Sequence, residues 1–576
     1  MDEGGVTVAR TGPPARRRSS RRRRLLTRSA PVVVLALAAF AAGVAVARGP
    51  GRAERRLVGR YVTLWSHGEV TRMYSLLDTE SRARVSETAF AAELGAAERT
   101  ATARSLRVVG VQHVGSGRAL IRMVVSTRVW GVLHETLELP LTGSGSGARI
   151  HLENSILFPG LHPGESLSRR TSLPLRATLL SANGVALAEG AARTSPDPVA
   201  AGEVVGGLGS IPSTERAHYA SLGYPANAKI GLDGLERTFQ DRLAGRPGGK
   251  LLADGVVTGG RTLARSIPVA SPAVRTTINT ALEDDALDAL AGRYAGMVVM
   301  NPRTGGMEAL AELAYDAPQP PGSTMKIITA TAALQAGLVK LTTEFPEQSG
   351  ATIDGYTLAN AGGEVCGGTL IYAFATSCNS VYAPLGVRVG ARRLVATARR
   401  YGFDQTPSIL GADESTIPSA ATIGSALSVG SSAIGQGEVL ATPLEMADVA
   451  ATIADGGRRP IPTLSASAHP RFVHVTTAKV AGEVKQMMIA VITYGTGITA
   501  QIPGVQVAGK TGTAELRNTS SKAASNNPKN TDSWFVAFAP AGDPKVVVAA
   551  LFPGAGYGEA TAAPAVKSVL ESALGR

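Results

Sequence analysis

The sequence predicts a multidomain α+β protein whose N-terminus is held in a membrane. Three observations carry that expectation. At 576 residues the chain is too long for one hydrophobic core. An uncharged apolar run follows directly on an arginine-rich tail. Beyond it the apolar periodicity switches from the helical repeat to the strand repeat near residue 104, and a second helix-and-strand region begins near 271.

Composition places the chain among globular proteins, with 44% hydrophobic and 18% charged residues. The net charge of +13 suggests a nucleic-acid binder until its location is read. Residues 1–30 hold nine arginines against Asp2 and Glu3, so that segment carries +7 and the rest only +6. The basic signal is a tail rather than a groove, and no nucleic-acid partner is expected.

Residues 1–29 read as a basic cytoplasmic tail. Residues 30–48 read as one membrane-spanning signal-anchor, since the run Ala30–Ala47 is uncharged and just long enough to cross a bilayer. Positive charge on its N-terminal side keeps the tail inside and puts everything after Arg48 outside. Ala45-Val46-Ala47 also resembles a cleavage site, but the long basic region and long apolar run favour an uncleaved anchor. The two cysteines, Cys366 and Cys378, suit an exported protein; they can close a local disulfide or stay as buried thiols. No metal-ligand spacing occurs among the eight histidines, so no zinc is expected.

Residues 49–160 predict a small α+β domain. A helical pattern runs from about 52 to 100, followed by four strand candidates: SLRVVGVQHV, RALIRMVVST, GVLHETLELPL and ARIHLENSILF. Nothing catalytic stands out in it. Residues 161–270 are rich in Gly, Pro, Ala and Ser, and EGAARTSPDPVAAGEVVGGLGSIPS reads as an extended, linker-like connection. Residues 271–576 predict one large α+β domain. An amphipathic helix through Ile278 and Leu290 feeds two strands, GMVVMNP and GMEALAEL, and VKSVLESAL closes the chain as a helix.

Three short elements of this last region read as one site. The first is Ser323-Thr-Met-Lys326 in APQPPGSTMKIITAT, after a Pro-Pro-Gly loop signal. Residues three apart share a helix face, and the apolar flanks predict burial, where an ammonium is costly unless paired. Either the helix is exposed and the pairing means nothing, or Lys326 is there to touch Ser323; spacing alone does not decide. The second is Ser377-Cys378-Asn379. The third is Lys510-Thr511-Gly512-Thr513 at the end of an apolar strand, where Gly512 would let a substrate backbone approach closely.

Together these elements resemble the serine penicillin-recognising acyltransferases, which pair S-x-x-K with a Ser-x-Asn and a K-T-G. IGQGEVLATPLEMA, KTGTAE and DSWFVAFAP look like class B penicillin-binding proteins in particular. PLRATLLSANGVALAEG and GLDGLERTFQDRLAGRPGG are similar to that family's non-catalytic, dimerisation-type region, although its usual Arg-Gly and Asp-Arg pairs are degraded here. HLENSILFPGLHPGESLSRR is similar to the junction after a cone-like accessory domain related to nuclear transport factor.

The resemblance implies an antiparallel sheet flanked by helices, a Ser323 nucleophile and Lys326 as its base. Ser377 would relay a proton between Lys326 and Lys510, and Asn379 would orient Lys326. Thr511 and Thr513 would hold the substrate carboxylate beside Lys510, with the backbone N–H groups of Ser323 and Thr513 forming the oxyanion hole. The implied reaction is D-alanyl-D-alanine transpeptidation between peptidoglycan stem peptides, blocked by β-lactams. Proteins of cell-wall synthesis or division are implied partners. No cofactor is expected, since neither a phosphate-binding G-x-x-x-x-G-K-[ST] nor a G-x-S-x-G elbow occurs. Nothing in 50–270 matches a glycosyltransferase. Two alternatives share these residues: a carboxypeptidase or β-lactamase-like hydrolase, and a catalytically idle β-lactam sensor or division scaffold.

Overall fold

A computed structural model describes residues 51–255, 259–516 and 528–576. The tail and the anchor at 30–48 lie outside the described residues; among the described residues, no helix is long and apolar enough to cross a membrane. The chain divides into two compact units, each assembled from non-contiguous segments. The stretch 161–270 is shared between them: 212–226 and 246–269 belong with the first unit, 174–211 and 227–245 with the second.

In the first unit, helix α1 (Arg52–Ser66) ends at Gly68, whose φ of 71° suits a residue without a side chain. Helix α2 (Glu87–Thr100) starts where the Ser86 hydroxyl accepts the Ala89 N–H at 3.2 Å. The antiparallel meander of β1 (Ala103–Gly115), β2 (Arg118–Thr127), β3 (Val132–Thr142) and β4 (Arg149–Ile150) follows. Alternate residues Ala119, Ile121 and Met123 of β2 enter a core with Val58, Tyr61 and Phe90. The fourth expected strand is a correction. ARIHLENSILF pairs with β3 only at Arg149–Ile150, then turns into a short 3-10 helix at Asn154–Ile156 that buries Ser155 and Ile156. A second antiparallel sheet joins β5 (Glu165–Ser172), β6 (Gly248–Gly255) and β7 (Gly259–Ser266) in the order β7-β6-β5.

In the second unit, the linker-like reading of 189–213 is also corrected. Pro198–Val204 is a helix, started by Pro198 and capped where the Asp197 carboxylate accepts the Ala200 N–H at 3.2 Å. Its Ala200, Ala201 and Val204 are buried. Nearby, Glu236 is fully buried and pairs with both Arg176 and Arg193, whose side chains are 11% and 9% exposed. The three segments PLRATLL, EGAARTS and GLERTFQ therefore meet at one carboxylate.

The rest of the unit is built on a five-stranded antiparallel sheet. Its strands are β8 (Gly296–Met300), β9 (Met307–Glu312), β10 (Ala508–Glu515), β11 (Thr531–Ala539) and β12 (Val546–Phe552). The order β9-β8-β12-β11-β10 leaves β10 at an edge. Every residue of β11 and β12 is buried, so helices must cover both faces. Helices α3 (Thr280–Leu290) and α9 (Ala562–Ala573) pack together on one side. Helices α7 (Pro443–Ala454) and α8 (Ala478–Tyr494) cover the other, and all of α7 is buried, as its near-continuous apolar sequence demands. Against these lie α4 (Lys326–Gln335), α5 (Leu370–Ala375) and α6 (Asn379–Val389).

Candidate active site

Ser323 lies in a 3-10 turn, Gly322–Met325, that leads into α4. From Lys326 to Leu334 every residue of α4 is buried, so the helix is not an exposed amphipathic one. Lys326 is 0% exposed, and its Nζ lies 2.9 Å from Ser323 Oγ. The same nitrogen donates to Ser377 O at 2.6 Å and Asn379 Oδ1 at 2.7 Å, with Ser377 Oγ at 3.3 Å.

Ser377 can offer both oxygens because it sits between α5 and α6 with φ of 62°, in the left-handed region. The Ser377 N–H is held by Phe374 O at 3.1 Å and the Cys378 N–H by Ala373 O at 2.9 Å. Cys378 is disulfide-bonded to Cys366, with Cα atoms 5.9 Å apart. Asn379 opens α6 and donates from Nδ2 to Ala359 O at 2.8 Å, which fixes its amide with Oδ1 towards Lys326.

Lys510, also 0% exposed, donates to Ser377 Oγ at 2.9 Å and Thr511 O at 3.0 Å. The Ser377 hydroxyl thus stands between the two lysine nitrogens. Burial pushes the Lys510 pKa down to about 7, opposed by the carboxylate of Glu559. Burial, and then the charge of Lys510, hold Lys326 well below the ordinary lysine range. Phe374 and Tyr382 supply much of that dry surround. Lys326 Nζ is 5.7 Å from the Tyr382 ring centre, Lys510 Nζ is 5.6 Å from that of Phe374, and the two rings are 5.8 Å apart.

The donor arithmetic at Lys326 has a chemical consequence. Ser377 O and Asn379 Oδ1 can only accept, so they claim two N–H groups of the amine. In neutral lysine those are all it has, and the lone pair is left for Ser323 Oγ–H. This arrangement can draw a proton from a serine.

The edge strand β10 departs from the sequence reading at two residues. Side chains alternate along a strand, so Lys510 and Gly512 share one face while Thr511 and Thr513 share the other. Thr511 is 5% exposed, and its hydroxyl is paired with Thr496 Oγ1 at 2.5 Å. A Cβ on Gly512 would lie 2.7 Å from Trp534 Cβ and 2.9 Å from both Pro321 O and Thr324 Cγ2. The missing side chain accommodates the Ser323 turn, not a substrate. Thr513 is half-buried, and its Oγ1 accepts the Gly558 N–H at 3.3 Å.

Comparison with known proteins places this arrangement. The penicillin binding protein transpeptidase domain matches residues 295–571, and the penicillin-binding protein dimerisation domain matches 154–270. The chain belongs to the penicillin-binding proteins. It is 37% identical to the peptidoglycan D,D-transpeptidase PbpA of Mycobacterium tuberculosis over 286 residues, 44% of this chain and 55% of that protein. It is 25% identical to the peptidoglycan D,D-transpeptidase MrdA of Acinetobacter baumannii over 423 residues, 62% of each. The aligned part spans only about half the length of the first of these relatives. The crystal structure of PBPA from Mycobacterium tuberculosis superposes with a TM-score of 0.55 at 27% identity, covering 69% of this chain and 99% of that one. The penicillin G acyl-enzyme complex of that protein gives 0.53 at 28% identity, with the same coverage.

Within this penicillin-binding protein, Ser323, Lys326, Ser377, Asn379 and Lys510 are brought together, while Thr511 and Gly512 are turned into the protein. Sequence reasoning passed over Phe374, Tyr382 and Thr496, and it used the Gly435-Gln436-Gly437 turn only as part of the family resemblance. The turn had a visible signal, since two glycines flanking a glutamine mark a tight backbone approach.

Proposed function

We propose that this penicillin-binding protein is a monofunctional peptidoglycan D,D-transpeptidase working through a Ser323 acyl-enzyme. Ser323 Oγ attacks the carbonyl carbon of the penultimate D-alanine of a stem peptide while Lys326 Nζ takes its proton. The backbone N–H groups of Ser323 and Thr513 receive the oxyanion, each worth about 10²–10³ in rate. The C–N bond breaks, and the proton returns through Ser377 Oγ to the departing amine of the terminal D-alanine. Lys510, in its protonated form, attracts the substrate's terminal carboxylate. An amine of a neighbouring stem peptide then attacks the ester, forms the cross-link and restores the Ser323 hydroxyl. Penicillins acylate the same oxygen.

The observation that carries this reading is the buried Lys326 Nζ, 2.9 Å from Ser323 Oγ and held by two carbonyl acceptors. Residues 30–48 anchor the chain, with 1–29 cytoplasmic and the site outside, a placement that suits the Cys366–Cys378 bridge. Residues 49–160 serve as the accessory domain, 161–270 as the dimerisation-type region and 271–576 as the transpeptidase domain.

The test is labelling of the detergent-solubilised full chain with a fluorescent penicillin, beside Ser323→Ala. A long-lived adduct on the wild type that the variant lacks is expected. An adduct that forms and quickly decays would instead identify a hydrolase. None at all on folded protein would leave the idle scaffold.

A further inference from the structure

The side chain of Gln436 has no part in the chemistry above, yet it lies across the end of the edge strand. With the amide oriented to satisfy its neighbours, its nitrogen donates to Glu515 O at 3.2 Å and its oxygen accepts the Glu515 N–H at 2.9 Å. This two-point bridge has the form that one residue of an added strand would make. It also fixes the parity of β10. Backbone groups of alternate residues point to the same side, so the N–H and C=O of Thr513 share the outer edge with those of Glu515. The bond from Lys510 Nζ to Thr511 O agrees.

The turn that carries Gln436 is bound on its other side to the Ser323 turn. The Gly322 N–H donates to Gly435 O at 2.9 Å, and a Cβ on Gly435 would lie only 2.1 Å from Gly322 O. Gly435 has φ of 75° and Gly322 has φ of 53°, so both need glycine for conformation as well as for space. The ring closes where a Cβ on Gly322 would fall 2.8 Å from Thr513 O. Three backbone pieces, 321–323, 435–437 and 511–515, are thus locked at distances that admit no side chain. The Gln436 amide is the side-chain link that ties the second piece to the third.

We infer that Gln436 is a positioning residue, which fixes the backbone N–H of Thr513 relative to that of Ser323. This rests on the transpeptidase reading, in which those two N–H groups face the developing oxyanion. Gln436 touches neither Lys326 nor Lys510, so its loss disturbs where the oxyanion is held and not when the base is neutral. A misplacement of about 1 Å in such a pair costs on the order of 100-fold in rate.

The experiment is stopped-flow acylation of the full chain by a chromogenic cephalosporin across pH, for the wild type, Gln436→Ala and Gln436→Glu. The glutamate variant keeps the volume and the acceptor for the Glu515 N–H but loses the donor to Glu515 O. Both variants are expected to lose about 10- to 100-fold in maximal acylation rate. The non-covalent dissociation constant should stay within about twofold, and in Gln436→Ala, which adds no charge, the pH midpoint of acylation should not move. A merely structural role would weaken binding and shift the midpoint along with the rate, and that result overturns the inference. So does wild-type acylation by both variants, which leaves the transpeptidase reading standing. If the folded wild type itself takes no acyl group, the transpeptidase reading fails and the inference fails with it.

Discussion

Lys510→Met removes one charge from the pair that faces Ser377 and tests whether Lys326 is the base. Both Nζ atoms reach Ser377 Oγ, at 3.3 and 2.9 Å, so they stand no more than about 6 Å apart. At an effective dielectric constant of about 20, two positive charges at that separation repel by about 3 kcal/mol. This repulsion is the second cause, after burial, that keeps Lys326 below the ordinary range. That charge is present wherever Lys510, with its pKa of about 7, is protonated, so the wild type feels the repulsion below that pH. Removing it favours the protonated form of Lys326, and the limb along which acylation rises with pH moves to higher pH. About 3 kcal/mol corresponds to about a 100-fold smaller neutral fraction at a fixed pH below the wild-type midpoint. The assay is the maximal acylation rate against pH, with saturating β-lactam, because Lys510 is also assigned to the ligand carboxylate and its loss raises the apparent dissociation constant separately. A rising limb at the same or lower pH in Lys510→Met would refute the assignment of Lys326 as the base.

Gly512→Ala places its methyl group between Trp534, Pro321 and Thr324, so it should destabilise by about 1–3 kcal/mol and slow acylation about 100-fold, read by thermal unfolding and penicillin labelling. Glu283 is buried, accepts the Leu310 N–H at 2.9 Å and has its pKa raised to about 8 by desolvation. A carboxyl raised on folding contributes stability that is complete below its unfolded pKa and is lost as pH climbs to the folded value. Against Glu283→Gln, the wild type should therefore lose about 5 kcal/mol of relative stability between pH 4.5 and 8, and a difference independent of pH in urea titrations would contradict this. Glu236→Gln strands Arg176 and Arg193 in a buried site and should cost about 3–5 kcal/mol in the same titrations, while penicillin labelling at low temperature persists.

How much of this was legible in the sequence differs between the site and its frame. The Ser-x-x-K spacing is local, and one helical turn brings Lys326 to Ser323 whatever surrounds them. The strands GMVVMNP and GMEALAEL were equally plain, because β8 and β9 are joined by a short turn in which the Asn301 N–H meets Gly306 O. The stretch 161–270 was legible through its resemblance to a dimerisation-type region, matched at 154–270, but not in its internal division. Its segments alternate between two compact units, and local periodicity carries no information about which partner a short strand will find. Pro198–Val204 did carry a signal, an Asp-Pro start and apolar residues four apart, that its glycine- and alanine-rich surroundings obscured.

The placement of Thr511 and Gly512 follows from a rule available from the sequence. If Lys510 points at Ser377, a strand's alternation sends the Thr511 side chain to the opposite face, where the structure pairs it with Thr496. Gly512 returns to the face of Lys510, where the nearest neighbour is the chain's own Ser323 turn. What an edge strand offers a ligand includes its backbone, the outward N–H and C=O of Thr513. Glycines at 322, 435 and 512 serve that geometry together: each leaves out a side chain so that three backbones can hold one another where, in the proposed mechanism, charge develops. A substitution at Gly435 or Gly512 would act on the proposed oxyanion site through backbone and packing neighbours rather than through the side chains of Ser323, Lys326 or Lys510, which is why motif residues and packing residues cannot be separated here by distance from the chemistry alone.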